Sequence, residues 1–467
     1  MKAETKKKFK IPHVFVLLSS IALIVAISSY FIPAGAYARI DDPVTGRSII
    51  DATSFQYLEK TPITFMQYIT AFTAAFQNAS SIICMTLVVG GTFGIINKLG
   101  LITAALSSAL KVFSKNKRLA VPALIFVFAI FDSFMGAPEL CIIFLPMVIP
   151  LIISLGWDTM TACAIVICGN CIGYSTGMGN PFTTIISQKI CQLPLYSGIW
   201  YRAICFVVFY IVTVWYIDRY TRKIEKNPLS SKTFQDDEVR RKDATVENGV
   251  KLNFRTKLAA VFVVCCFVFN IVGVMKLGWD IAEMTGLFLV MSVGCGIISG
   301  HTLSDTCKMF LDGAKDILFG ALVMSFARSI TVLMTECNIM DTIVHALSGI
   351  ATSFPAFLSV FAVLIIATLI GFPISSGSGE ALTVMPLFSP LADILKISKQ
   401  TTVLAFQFGD GWSNIIYPTN ASYMATLAVG KVNWIDWERW ALPLFGIWFG
   451  LSVVMLAIAQ MISLGPF

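Results

Sequence analysis

Charge is scarce in this chain. Only 13% of its 467 residues are Asp, Glu, Lys or Arg, whereas 56% are hydrophobic, and apolar runs of membrane-spanning length recur from residue 14 to residue 462. That balance excludes a soluble fold and identifies a polytopic membrane protein. Histidine is scarcer still. His13, His301 and His345 stand apart at the edges of predicted spans and form no metal set. The chain contains neither HExxH nor GxxxxGK[ST], which excludes a zinc protease and a nucleotide-driven pump. Phe408-Gly-Asp410 approaches the GxGD of intramembrane aspartyl proteases, but Gln407 stands where that motif needs glycine.

Two features that could mislead are resolved by position. The formal charge of +7 comes from Lys and Arg flanking apolar spans, so it reads as a topology signal and not as a nucleic-acid surface. Most of the twelve cysteines fall inside apolar spans, where Cys behaves as a small hydrophobe. Cys168 and Cys171 have CxxC spacing but lack a second Cys/His pair, so they are expected to pack.

The apolar run over 14–32 follows Lys6, Lys7, Lys8 and Lys10. It is longer than the core of a signal peptide, which predicts a retained first helix with a cytoplasmic N-terminus. An outer loop covers 33–61 and a single long helix 62–97. An interfacial amphipathic segment is expected over 98–118. Two short apolar halves, 119–131 and 140–155, flank Asp132–Glu139 and read as a re-entrant hairpin. The helix over 159–190 is broken by glycines and Pro181 between 169 and 181, and a span at 200–217 follows. Residues 218–257 hold eleven Lys/Arg and seven Asp/Glu, the composition of a solvated cytoplasmic linker. Helices are expected at 258–274, 281–299 and 314–336, with an amphipathic piece at 339–350 and a last span at 440–462.

The second half echoes the first. At an offset of 240, Pro146 matches Pro386, Pro150 matches Pro390, Gly169 matches Gly409, Asn170 matches Asp410, Asn180 matches Asn420 and Trp200 matches Trp440. Gly136–Glu139 matches Gly377–Glu380 at 241. Gly/Pro breaks at corresponding places in two halves are the sequence mark of a transporter site. The expected organisation is a first repeat over 1–217, the linker 218–257, an inverting helix 258–274 and a second repeat over 275–467. With the N-terminus inside, 25 of the 34 Lys/Arg fall on cytoplasmic segments. This distribution favours two inverted-topology repeats, each with a hairpin and a broken helix, and an external C-terminus.

Ionisable and amide side chains within such segments are costly and mark solute or ion pathways. The candidate substrate or ion ligands are Asp132, Glu139, Asn170 and Asn180 in the first repeat. In the second they are Ser376, Ser378, Glu380, Asp410, Asn414 and Asn420. A coupling Na⁺ would sit near Glu380, Asp410 and Asn170; coupling to H⁺ is the alternative. No other cofactor is expected. Arg328, read as the lone basic residue deep in a span, could receive a substrate carboxylate through its planar fork or pair with Glu336 or Asp341. If the four tip carboxylates and Arg328 all faced one cavity, their formal sum would be −3, favouring cationic substrates or cation coupling.

The motifs Gly371-Phe-Pro-Ile-Ser-Ser-Gly-Ser-Gly-Glu380, Leu404-Ala-Phe-Gln-Phe-Gly-Asp-Gly-Trp-Ser-Asn414, Gly177-Met-Gly-Asn-Pro-Phe182 and Phe9-Lys-Ile-Pro-His13 together resemble the YfcC family. That family is similar to the DcuC-like anaerobic C4-dicarboxylate carriers and to arginine/ornithine antiporters of the ion transporter superfamily. The resemblance implies an inverted-repeat secondary transporter in the cytoplasmic membrane, a homodimer in which a transport domain moves against a scaffold. Its substrates would be amino acids, basic ones first, or small carboxylates. A C4-dicarboxylate carrier is the alternative, followed by a channel and an intramembrane protease.

Overall fold

The computed structural model describes residues 14–42, 47–51, 53–102, 104, 113, 116–136, 138–243, 253–277, 279, 281–351, 356–394 and 397–465. The basic N-terminus and most of the expected interfacial segment 98–118 lie outside them. Helices dominate: α1 (Val14–Ser28), α2 (Phe65–Asn78), α3 (Ser80–Lys98), α4 (Ala120–Met135), α5 (Leu140–Ser154), α6 (Thr159–Thr176), α7 (Thr184–Ile190), α8 (Ile199–Lys226) and α9 (Phe234–Asp243). The remainder are α10 (Phe254–Leu277), α11 (Ile281–Ile298), α12 (Leu303–Glu336), α13 (Met340–Ala351), α14 (Ala356–Ile370), α15 (Gly377–Ile394), α16 (Lys399–Ser413), α17 (Ala421–Gly430) and α18 (Trp434–Met461). Among the described residues, seven helices are long and apolar enough to cross a membrane, which makes this a multi-pass membrane protein.

Three expectations need correction. The helix expected over 62–97 is two helices, because the chain leaves helical geometry at Ala79, between Asn78 and Ser80. The outer loop carries four short strands, β1 (Gly35–Ala36), β2 (Arg39–Asp42), β3 (Arg47–Ile50) and β4 (Gln56–Tyr57), paired β1 with β4 and β2 with β3 in antiparallel register. A salt link ties this flap to α13. Asp341 accepts hydrogen bonds from the Tyr37 backbone N–H and from the Arg39 guanidinium at 3.0–3.1 Å. Burial, with the nearby Asp341 charge adding to it, pushes the Tyr37 hydroxyl up to about 12. The third correction concerns the linker. Its 234–243 stretch is a helix whose Asp237 is buried and accepts from the backbone N–H and hydroxyl of Thr159 and from the Thr233 hydroxyl. Arg240 reaches across to the Gly430 carbonyl at the end of α17.

The core lies around two central helices. α6 is buried along its whole length, and α16 from Gln400 onward. The same packing scheme surrounds each of them: α4, α5 and α8 pack on α6, and α14, α15 and α18 pack on α16. Across the middle α6 touches α16, α5 touches α17 and α15 touches α7. Local chemistry also repeats at the offset of 240. Asp158 caps α6 by accepting from the Thr161 N–H at 2.9 Å, and Ser398 caps α16 by accepting from the Thr401 N–H at 3.0 Å. Gly169 and Gly409 let their helices approach α4 and α14, and a Cβ at either would press on the backbone carbonyl of Ile125 or Leu364 respectively. A second group, α1, α2, α3, α11 and α12, packs beside this core. There α3 crosses α12 at Gly94 and Gly313, where a Cβ on Gly94 would lie 2.6 Å from the Gly313 Cα. Small residues of this kind let backbones meet where lipid supplies no hydrophobic driving force.

α5, α14 and α16 have 15 residues each, about 23 Å at a rise of 1.5 Å per residue. That falls short of a hydrocarbon core of about 30 Å. The candidate site is built from residues at the ends of these helices.

Candidate functional site

α6 stops at Gly177, which takes the left-handed conformation (φ +46°) and donates its N–H to the Gly173 carbonyl. Asn180 then organises the break, its Oδ1 accepting from the N–H groups of Phe182 (2.9 Å) and Thr183 (3.2 Å). Its repeat mate Asn420 does the same for α17, accepting from the Tyr423 N–H at 3.0 Å. Asn420 also donates to Asn414 Oδ1 (2.7 Å), and Asn414 donates to the Asp410 carbonyl (3.1 Å). These asparagines satisfy backbone and amide groups that a broken helix would otherwise leave bare.

Beside the two breaks lies a cavity of about 320 Å³. One wall is the first tip, with Gly136, Pro138 and Glu139, and another is the second tip, Ser375–Ser378. Asn414, Asn420 and Ser422 come from the second break, Tyr174 from α6, Arg328 from α12, and Asn78 and Ala79 from the break between α2 and α3. Among the described residues, its charged lining residues are Glu139 and Arg328. Glu139 accepts from the Ser422 hydroxyl at 3.4 Å. Asp341, one of the two partners expected for Arg328, is bound to Arg39 instead.

The candidates divide into two shells. Glu139, Arg328, Ser376, Ser378, Asn414 and Asn420 reach the cavity. Asp132, Asn170, Asn180, Glu380 and Asp410 are buried behind its wall. The lining therefore carries one charge of each sign, and the sum of −3 does not apply to it. The intervening residue is Tyr174, whose hydroxyl donates to Asp410 Oδ2 at 3.1 Å. The Glu380 carboxyl lies against that of Asp410, and Asp132 is within electrostatic reach of the same tyrosine. No Lys or Arg among the described residues forms an ion pair with Glu380 or Asp410. Asn170, at the position matching Asp410, instead accepts from the Tyr423 hydroxyl at 2.7 Å. Each half thus lends a tyrosine to the other half's central helix.

Glycine is required at the second tip. A Cβ on Gly377 would strike the Tyr174 hydroxyl and lie 3.0 Å from Asp410 Oδ2. The N-terminus of the 18-residue α15, the positive end of its dipole, rests beside this acid. Nearby, Gln407 donates to the Tyr174 carbonyl and to Thr183, knitting α16 to the first break.

Sequence reading missed several contributors. Tyr174 lies inside the quoted break but was not singled out, and Asn78 was hidden in the middle of a long apolar run. Arg202 was overlooked as a second buried base. Its side chain is fully enclosed, and it donates to the Thr176 carbonyl at 3.1 Å, at the carbonyl end of α6. Cys168 and Cys171 are buried free thiols.

The helices and site describe a membrane transporter, and the comparisons with known proteins place it. The family model for the C4-dicarboxylate anaerobic carrier, DcuC, matches residues 11–461. This chain belongs to that family. It is 28% identical over 98% of both chains to a protein of Escherichia coli (strain K12) that carries the provisional name of a basic amino acid antiporter, YfcC. Among solved structures, MtrF of Neisseria gonorrhoeae, described as illuminating a class of antimetabolite efflux pumps, aligns over 97% of this chain and 96% of its own, with 15% identity and a TM-score of 0.44. The YdaH transporter of Alcanivorax borkumensis aligns over 96% and 98%, with 14% identity and a TM-score of 0.41.

Proposed function

We propose that this protein is a secondary active transporter, an antiporter or ion-coupled symporter, for amino acids, basic ones first. The observation that carries this reading is the presence of Glu139 and Arg328, the charges among the described lining residues, on a cavity otherwise lined by serine, asparagine, aromatic and apolar side chains. A guanidinium fork suits a substrate carboxylate, and a carboxylate suits an ammonium group. The buried Glu380–Asp410 pair, lacking a basic partner, supplies a place for a coupling H⁺ or Na⁺, with Asn170 nearby on the matching helix. The name of the Escherichia coli relative points the same way.

In the same proposal the chain comprises two inverted-topology repeats, 1–217 and 275–467, each with a re-entrant hairpin (α4–α5 and α14–α15) and a broken helix (α6–α7 and α16–α17). The matched packing around α6 and α16 and the matched caps support this organisation. A cytoplasmic-membrane location with the N-terminus inside and the C-terminus outside is supported by contacts between segments assigned to one side. Lys98 pairs with Asp312, Arg118 with Asp218 and Glu225, and Arg240 with Gly430. A homodimer with a moving transport domain follows from the family resemblance.

The second reading is a C4-dicarboxylate carrier, favoured by the family model. In it Arg328 takes one carboxylate and the serine-rich tip at the N-terminus of α15 takes the other. Counterflow in proteoliposomes separates the two. Uptake of labelled arginine or ornithine driven by unlabelled amino acid inside, and not by succinate or malate, is the result expected. Trans-stimulation by dicarboxylates alone would replace the first reading with the second, and linear, non-saturable flux would replace both with a channel.

A further inference from the structure

A second cavity, of about 380 Å³, lies away from the first, between the end of α8, the turn at 228–233 and the start of α18. Four of its lining residues are basic (Arg219, Lys223, Lys232 and Arg439) and one, Asp436, is acidic. Asp436 touches Lys232 and Arg439 only at 3.9 Å, and both of those side chains remain more than half exposed. The pocket therefore keeps a net positive charge that its own acid does not neutralise. All four bases sit on segments that charge counting assigns to the cytoplasmic side.

The floor is aromatic and firmly built. The Tyr216 hydroxyl donates to the Trp440 carbonyl at 2.7 Å, and the rings of Tyr216 and Tyr220 meet Trp440 edge-on. Aromatic rings of this kind mark the level where hydrocarbon gives way to headgroups. α8 has 28 residues, about 42 Å at 1.5 Å per residue, more than a bilayer core of about 30 Å requires. Its basic end can thus project at headgroup height. Below that end, Ile204, Val207, Ile211 and Trp215 are 47–58% exposed at spacings of three and four, and Arg219 continues the same face one turn on. One helix face thus presents an apolar strip leading up to a cation-lined pocket.

We propose that this pocket binds an anionic phospholipid of the cytoplasmic leaflet, its phosphate among Arg219, Lys223, Lys232 and Arg439 and one acyl chain along the 204–215 strip. Charge complementarity selects the headgroup. The strip accounts for the rest of the molecule, which a free phosphate would leave uncovered. Basic pockets between membrane helices recognise acidic headgroups in this way.

The test uses the purified full-length protein in detergent, titrated with phosphatidylglycerol or phosphatidylcholine and read by native mass spectrometry. Phosphatidylglycerol should bind tighter, and each Arg219→Gln, Lys223→Gln or Arg439→Gln substitution should weaken it about fivefold while leaving phosphatidylcholine unchanged. Equal binding of the two lipids, or unchanged phosphatidylglycerol binding in the triple variant, overturns the proposal. Displacement of the lipid by equimolar inorganic phosphate would reassign the pocket to a soluble anion and overturn it as well. If the triple variant does not fold, the single Lys223→Gln change, at an exposed side chain, must still show its fivefold loss for the proposal to stand.

Discussion

The turns that precede α5 and α15 occupy matching places in the chain and differ in what surrounds their carboxylates. At the first tip Glu139 faces the open cavity beside Ser422, while at the second its counterpart Glu380 is fully enclosed against Asp410. The central helices differ in the complementary sense. Position 170 is an amide that accepts from Tyr423, and position 410 is an acid that accepts from Tyr174. The scaffold is shared, but the accessible carboxylate comes from one half and the buried acid pair from the other. In the transporter reading proposed above, this burial difference would assign solute contact to one half and ion coupling to the other, because burial changes what a carboxylate can meet.

The sharpest way to break that comparison is to exchange the chemistry of the central helices. Asp410→Asn or Glu380→Gln should lower proteoliposome uptake about a hundredfold without loss of folded protein, since in the proposed reading each removes a carboxyl that the coupling ion occupies, about 2.7 kcal/mol for that factor. Asn170→Asp, the mirror change, should retain substantial uptake. Equal losses at 410 and 170 would remove the functional asymmetry. Next in size, Glu139→Gln should raise the KM for basic amino acids about tenfold with a smaller effect on neutral ones, whereas Arg328→Gln should weaken every substrate bearing a carboxylate. Concentration-dependent uptake of arginine and a neutral amino acid separates those outcomes.

Stability probes come after these. Gly409→Ala should destabilise by about 1 kcal/mol or more, because the new Cβ would sit 2.6 Å from the Ala367 Cβ and 2.7 Å from the Leu364 carbonyl. Gly169→Ala, whose nearest neighbour would be 3.0 Å away, should cost less; thermal unfolding in detergent ranks them, and the reverse order would contradict the packing described. The smallest effect is expected at the outer flap. Asp341→Asn weakens a link to the half-exposed Arg39 and should cost about 0.5 kcal/mol, in the range of solvent-screened ion pairs.

Much of this was legible in the sequence, because a membrane chain advertises its exceptions. The Gly/Pro breaks at 169–181, the acids at 380 and 410 and the period of 240 all stand out against apolar background, and the breaks fall where α6 ends and α7 begins. Burial depth was not legible. A tip motif tells that Glu139 and Glu380 are near an interior, but which of them meets open space depends on Tyr174, contributed by a helix some two hundred residues from the second tip. Ala79 is invisible as a break for a simpler reason: neither Asn78 nor Ala79 forbids helix, and the interruption arises from packing. Nothing local to Arg202 announces that the carbonyl end of α6 waits for it.

The two prolines within each of α5 and α15, at 146 and 150 and at 386 and 390, have one more consequence. Proline has no N–H to give, so the carbonyls of Ile142, Pro146, Leu382 and Pro386 have no backbone partner one turn on. Each of these rods accordingly carries two ready-made joints along its length, at matching positions in the two halves. At each proline one of the bonds that would resist bending is absent. Bending at these points would meet less resistance than elsewhere along the same helices.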